Sequence, residues 1–334
     1  MAARRRLTRR GPLRRIVALA GIPGAARDPV GGAERRSQHE GGTVKRKVTV
    51  PLAVLTLLAA IAASSAFGKQ QETIEVAVFA ASSANTYWAA EVEGAKDAAK
   101  KYGDVKITVF DGQFNTQKQL NQMRDALVSK KYEAWFVGPN DGGPLTTTIK
   151  QAIKSGVKVG CALVPCGPDI RNTKVQIPGQ VVFMGVGFYG NGQLLGQLVT
   201  TGCKGIDPCK VFWMPGLPTL PLEKARTDGL MSVVKKSANI EIVAVQPGGY
   251  LAAPALTATQ NVLQANPDIN VIVSSGDQMI AGAVRAAKAA GKTGIKMYGN
   301  GCTFEAKKLI QQGIQTGCTV YLPRTEGRTI VDLL

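Results

Sequence analysis

The sequence predicts an α/β protein of two similar parallel-sheet domains with a cleft between them. Strand-like and helix-like runs alternate along residues 73–312, which is the pattern that right-handed βαβ units produce. An irregular Gly/Pro-rich stretch, Cys166–Gly179, interrupts the rhythm once, and the same rhythm then resumes. The chain therefore divides into two halves. At 334 residues it is long enough to bury two cores.

The stretch TIEVAVFAASSANTYW, Thr73–Trp88, shows the unit most plainly. Ile74, Val76 and Val78 alternate with Glu75, Ala77 and Phe79, then a polar loop (Ser82, Ser83, Asn85) leads to Tyr87 and Trp88 at a helix start. A strand ending in such a loop against a helix N-terminus is where open α/β sheets bind ligands. Further strands are predicted at Val105–Phe110, Ala134–Gly138 and Val157–Leu163. The helices between them carry apolar residues at helical spacing: Trp88, Val92, Ala95 and Ala99; Leu120, Met123 and Leu127; Ile149 and Ile153. In the second half, strands are predicted at Val181–Gly185, Val211–Met214, Ile240–Val245, Val271–Ser274 and Ile295–Tyr298. Helices are predicted near Gly192–Thr200, Leu222–Lys236, Pro254–Gln264, Gln278–Ala290 and Phe304–Gln312.

The net charge of +18 is unevenly spread. Residues 1–66 hold 13 Lys+Arg against 3 Asp+Glu, and the remainder 28 against 20. In the body the cations are scattered on helix faces (Lys96, Lys100, Lys101, Lys235, Lys236) rather than clustered with aromatics, so nucleic acid is not an expected partner. His39 is the single histidine and lies in the leader. The body thus has no imidazole for general-base work or for a His-containing metal site, and neither an enzyme nor a metal site is expected.

Residues 44–66 read as a secretory signal peptide. Lys45, Arg46 and Lys47 precede a 13-residue apolar core, Pro51–Ala63, and Ser64-Ser65-Ala66 supplies a cleavage site. The span is short for a membrane anchor. Residues 1–43 are Arg-, Gly- and Pro-rich without sustained periodicity and read as a disordered upstream extension, with the true start near Val44. Arg9-Arg10 and Arg14-Arg15 offer a twin-arginine alternative whose flanking residues match poorly. The expected location is the periplasm or the extracellular space. Six cysteines in three local pairs, Cys161/Cys166, Cys203/Cys209 and Cys302/Cys318, agree with an oxidising compartment. Six cysteines allow 15 connectivities; Cys203–Cys209 is the best-supported pair, because the short GCKGIDPCK turn can bring its ends together.

GVGFYG, Gly185–Gly190, matches a dinucleotide fingerprint after a strand and before a helix. That fingerprint belongs in the first βα unit, with an acidic residue ending the next strand. Here four units precede it and Asp207 falls in a loop, so it reads as a glycine-rich crossover between domains and no cofactor is expected.

The order of features from Thr73 to Leu334 resembles the type I periplasmic sugar-binding proteins, the ribose- and galactose-binding group that serves ABC importers. NPDINVIVSSGDQMIAGAVRAAKAAGK, Asn266–Lys292, is similar to that group's signature around its second-domain cleft loop. Asn85-Thr86-Tyr87-Trp88, Gly138-Pro139-Asn140-Asp141 and Lys224-Ala225-Arg226 with Asp228-Gly229 are supporting matches. The resemblance implies two Rossmann-like domains joined by a hinge. Residues 72–185 plus 322–334 would form the N-terminal lobe and 186–321 the C-terminal lobe, with crossovers near Gly185–Gly187 and Tyr321–Pro323. It also implies a monomer that captures a small polar ligand, a monosaccharide above all, and delivers it to a membrane permease. Non-sugar ligands (autoinducer-2-like, nucleoside or cyclitol), a chemosensory co-receptor and a regulator's effector domain are the alternatives.

A sugar offers hydroxyls around a ring with apolar C–H faces, so its site needs aromatic walls and hydrogen-bonding groups. Tyr87 and Trp88 offer one wall and Tyr250, in QPGGYLAAP, the opposite one. Asn85, Asp141, Lys224, Arg226, Asp277 and Asn300 lie in strand-end or helix-start loops, and Tyr321 sits at the later crossover. Trp88 also fits the core stripe of its helix, Asp141 and Asp277 fit helix caps, and Arg226 fits a surface pair near Asp228. Three departures weigh against ribose itself. Lys224 replaces an Arg, Ala162–Cys166 replaces an Asp-Arg pair, and Gly301 replaces an acidic residue. The chain stops at Leu334 within its last helix, where members of that group continue into another strand.

Overall fold

The computed structural model describes residues 72–334. The leader 44–66, the upstream stretch 1–43, the arginine pairs and His39 lie outside the described residues. The first sheet holds β1 (Ile74–Ala80), β2 (Val105–Asp111), β3 (Ala134–Val137), β4 (Lys158–Leu163) and β5 (Val182–Gly185) in the order β2-β1-β3-β4-β5. The second holds β6 (Cys209–Met214), β7 (Ile240–Val245), β8 (Val271–Ser274), β9 (Lys296–Gly301) and β10 (Gly317–Val320) in the order β10-β9-β8-β6-β7. Every pairing is parallel. The two α/β domains thus repeat one topology, in which the strand order reverses beside β1 and beside β6.

Burial explains the strand sequences. Parallel sheets are covered on both faces, so their central strands are apolar throughout. β3 (AWFV) and β8 (VIVS) are buried at every position. The edge strands β2 and β7 are only partly buried and carry Lys106 and Glu241 outward. Trp135, Phe79 and Phe136 fill the first core, and Trp213, Phe212 and Met214 the second.

Nine helices among the described residues cover these sheets: α1 (Thr86–Tyr102), α2 (Thr116–Ser129), α3 (Gly142–Lys154), α4 (Phe188–Gly202), α5 (Pro221–Val234), α6 (Ala252–Ala265), α7 (Asp277–Ala289), α8 (Phe304–Gln311) and α9 (Pro323–Leu333). Asn85, Asn115, Asp141 and Thr303 cap α1, α2, α3 and α8 with side-chain oxygens that accept backbone N–H groups. After β5 the chain leaves the first sheet and enters α4; of the glycines of GVGFYG, Gly185 ends β5, Gly187 is the N-cap of α4 and Gly190 lies in its first turn. After β10 it enters α9, which packs against α1 beside the first sheet.

One packing device recurs in both domains. A Cβ on Gly94 of α1 would lie 2.0 Å from the Arg324 carbonyl of α9, and one on Gly327 of α9 would lie 2.0 Å from the Glu91 carbonyl. In the other domain Gly192 of α4 meets the Arg226 carbonyl, and Gly229 of α5 meets the Tyr189 carbonyl, both at 2.0 Å by the same measure. Reciprocal glycines thus let each helix pair touch backbone to backbone.

Three disulfides are present: Cys161–Cys166, Cys203–Cys209 and Cys302–Cys318. The last joins the end of β9 to β10. These strands are hydrogen-bonded neighbours in which Cys318 lies opposite Gly299, so Cys302 is within reach just past the strand end. Among the described residues no helix is long and apolar enough to cross a membrane.

Candidate functional site

The carboxyl ends of both sheets face a shared cavity of about 660 Å³. Seven of the ten ligand candidates line it: Asn85, Tyr87, Trp88, Arg226, Tyr250, Asn300 and Tyr321. Asn85 serves two elements. Its Oδ1 accepts the N–H groups of Tyr87 and Trp88 at 2.9 and 3.4 Å, and its Nδ2 donates across the cleft to the Tyr250 carbonyl at 3.3 Å. Trp88 is both core and wall, because its ring fills the space over Gly138, where a Cβ would lie 2.1 Å away. Tyr87 meets Trp88 edge to face at 5.4 Å and Tyr321 at 5.8 Å.

Tyr250 reaches into the cavity from the loop after β7. Its backbone is left-handed, with φ +59° following Gly249 at +67°, and its ring lies over Gly216, where a Cβ would meet it at 2.1 Å. The Phe114 ring, from the first domain, stacks on it at 5.7 Å and 29°. Phe114 is itself left-handed (φ +53°) after Gln113 (φ +52°), held by Asp111 Oδ1, which accepts from the Gln113 and Ser83 N–H groups. Two aromatic-bearing loops of unusual backbone thus meet between the domains.

A buried polar network underlies Tyr250. Glu223 accepts from the Tyr250 hydroxyl and from Arg226 through Oε1, and from Gly216 N–H (3.0 Å) and the Ser275 hydroxyl (2.7 Å) through Oε2. Arg226, 2% exposed, also donates to the Tyr250 oxygen at 2.8 Å and from Nε to Asn191 Oδ1 at 2.8 Å. Asn191 passes the chain on to Asn300 Oδ1 at 3.0 Å, which also accepts from Thr319. Asn300 closes it by donating to the Ser275 carbonyl at 2.9 Å. Arg226 is therefore no surface residue. Its charge is neutralised in place by Glu223, one turn earlier on α5, which satisfies a buried ion that would otherwise be costly.

Three candidates lie away from the cavity. Asp141 caps α3 by accepting from Gly143 N–H at 3.0 Å. The Lys224 side chain is 79% exposed and pairs with Asp228 at 2.9 Å, because the two-residue step on α5 turns it to the face opposite Arg226. Asp277, at the start of α7, is buried below the wall. It accepts from Thr303 N–H (2.8 Å) and Gln315 (3.4 Å), and burial raises its carboxyl pKa against the lowering effect of those bonds.

Sequence reasoning missed Phe114, Glu223 and Asn191, and used Asn140 only as part of a loop motif. Phe114 carried the signal that singled out Tyr250, an aromatic in a turn after a strand (DGQFN) with no apolar stripe to join. Glu223 and Asn191 gave none, since polar helix residues are ordinarily solvated. Beside the site, burial and then the neighbouring Glu91 and Glu326 push the Tyr87 hydroxyl well above its ordinary value; that hydroxyl donates to Glu326 Oε2 at 2.6 Å. Among the described residues no group of three or more His, Cys, Asp or Glu side chains could hold a metal ion.

Comparison with known proteins places these features. The periplasmic binding protein domain family matches residues 76–334. The D-allose-binding periplasmic protein of Escherichia coli K12 is 28% identical over 289 residues, 84% of this chain and 88% of that one. The ribose import binding protein RbsB of the same organism is 25% identical, over 83% of this chain and 89% of its own. Among solved structures, the Caulobacter myo-inositol binding protein with bound myo-inositol superposes with a TM-score of 0.67 at 23% identity, covering 79% of this chain and 86% of that one. A Mycobacterium smegmatis protein in complex with β-D-fucofuranose gives 0.69 at 21% identity, covering 78% and 84%.

Proposed function

Because the chain belongs to the periplasmic binding protein domain family, we propose that it captures one small uncharged polar ligand, a monosaccharide, between its domains and passes it to an ABC transporter permease. The observation that carries this is that Tyr87, Trp88, Phe114 and Tyr250 together line a cavity of about 660 Å³ at the carboxyl ends of two sheets. Aromatic rings cover the apolar C–H faces of a sugar, and the amides of Asn85 and Asn300 and the Arg226 guanidinium stand beside them. The D-allose and ribose relatives support a sugar in this role.

In this reading the lobes are residues 72–185 plus 322–334, and 186–321, and they move about the crossovers at 185–187 and 321–323. The protein binds without chemistry, works as a monomer outside the cytoplasm, and presents both lobes to the permease once closed. A thermal-shift panel of monosaccharides, cyclitols and nucleosides tests the reading. A ligand present at a hundred times its Kd raises Tm by about 5 °C. No shift with any monosaccharide removes the sugar reading, and a shift confined to nucleosides or cyclitols replaces it.

A further inference from the structure

Four charged side chains border the cavity among the described residues: Glu93, Arg226, Glu305 and Arg324. Three of them are exposed, and of these Glu93 pairs with Lys96 and Arg324 with Asp97. Ions in such a position are screened by water and bias little of what binds inside. Arg226 differs. Its side chain is 3% exposed, its hydrogen bonds leave from Nε and Nη1, and Nη2 has no hydrogen-bond partner among the described residues. Left alone, a desolvated guanidinium on the wall would draw an anion. Glu223 stands in the way of that. It does not border the cavity, is 2% exposed, and lies three residues before Arg226 on the same face of α5. Its two oxygens accept from Arg226, the Tyr250 hydroxyl, Gly216 N–H and the Ser275 hydroxyl. These donors come from α5 and from the loops after β6, β7 and β8. The carboxylate is thus held from four segments and cannot swing away from its partner. Asp277, the other buried acid at this end of the sheet, takes its bonds from Thr303 N–H and Gln315 instead.

We infer that Glu223 sets the charge selectivity of the site: by neutralising Arg226 and fixing its guanidinium from outside the lining, it reserves the cavity for uncharged sugars and closes it to sugar acids and sugar phosphates. This rests on the sugar-capture reading above and deepens it. Glu223 is a positioning residue, since it acts through Arg226 and Tyr250. A hydroxyl of a neutral sugar can accept from a guanidinium that is already paired. The carboxylate of a uronate would instead give up its water for a wall whose buried charges sum to zero. Without Glu223 the balance reverses. A few ångströms from an unpaired guanidinium in a desolvated site, a carboxylate gains roughly a hundredfold in affinity. A neutral sugar gains nothing from the bare charge and loses the fixed donor geometry.

Isothermal titration of the full chain with matched pairs tests this: D-galactose against D-galacturonate, D-glucose against D-glucuronate, and D-ribose against D-ribose 5-phosphate. In the parent, the neutral member of any pair that binds is expected to be the tighter by roughly tenfold or more. Glu223→Gln keeps the shape and uncovers the charge of Arg226, so it should move that ratio roughly tenfold or more toward the anion. Glu223→Asp, which keeps the carboxylate, should retain the parent's preference. A merely structural Glu223 would weaken both members alike and leave the ratio where it was. An unmoved ratio in Glu223→Gln, or equal or tighter binding of the anionic member by the parent, overturns the inference and leaves sugar capture standing. The parent's ratio decides by itself should the glutamine variant fail to fold. No heat from any of the six compounds overturns both.

Discussion

Glu91 lies on α1 with both carboxylate oxygens buried and without a hydrogen-bond partner, and it is 1% exposed. Burial first, then the charge of Glu326 on α9, push its pKa well above the ordinary carboxylate value; the Tyr87 hydroxyl opposes them. A carboxyl raised in the folded state keeps a proton that the unfolded chain releases. Its contribution to stability is therefore complete below the ordinary glutamate pKa of about 4.3 and is lost as pH rises through the folded value. Glu91→Gln should remove that loss: urea unfolding at pH 5 and pH 8 is expected to show the parent weakening more than the variant as pH rises. Equal pH dependence in the two proteins would mean that Glu91 is ionised in the fold. This residue was illegible in the sequence, because an acid at a helix position within TYWAAEVEG reads as solvent-facing until α9 is placed over it. Tyr250 was legible only in part. An aromatic in a Gly-rich loop marks a cleft, but its ring over Gly216 and its hydroxyl on Glu223 also make it part of the folded state.

At the scale of elements, helix pairing depends on glycines that the sequence presents as ordinary helix residues. Gly229 of α5 sits against the Tyr189 carbonyl and Gly192 of α4 against the Arg226 carbonyl. Backbone cannot yield to a methyl group at 2.0 Å, so Gly229→Ala must separate α4 from α5. The expected loss is about 3 kcal/mol, read from denaturant midpoints. The separation also moves Asn191 from Arg226, so sugar affinity should fall with it; unaltered stability would show that the helices re-pack freely. The alternation of strands and helices was readable because parallel sheets demand continuous apolar runs and their covering helices demand periodic ones. β10 escaped that reading. GCTV is four residues long at a sheet edge, partly exposed, and too short for a period to register. GVGFYG lacked the context for phosphate binding, and β5 ends at its first glycine, at the edge of the first sheet.

For the whole molecule, what matters is how firmly the two domains hold each other. They meet through the Phe114–Tyr250 stack, through Asn85 Nδ2 on the Tyr250 carbonyl, and through Gln278 Nε2 on the Thr86 hydroxyl at 2.6 Å. The resemblance seen in the sequence pointed to a hinge and to facing aromatics, but not to direct contacts across the cleft, because loop residues such as Phe114 and Gln278 acquire neighbours only when both sheets are in place. An offset aromatic pair contributes about 1 kcal/mol beyond its area, enough to shift an open–closed equilibrium roughly fivefold. The double substitution Phe114→Ala with Gln278→Ala removes the stack and the rim hydrogen bond while leaving Arg226, Asn300 and Tyr321 untouched. Small-angle scattering of the sugar-free variant should give a larger radius of gyration than the parent, and saturating sugar should bring the two values together. Superimposable sugar-free curves would mean that the crossovers, rather than these contacts, hold the cleft shut.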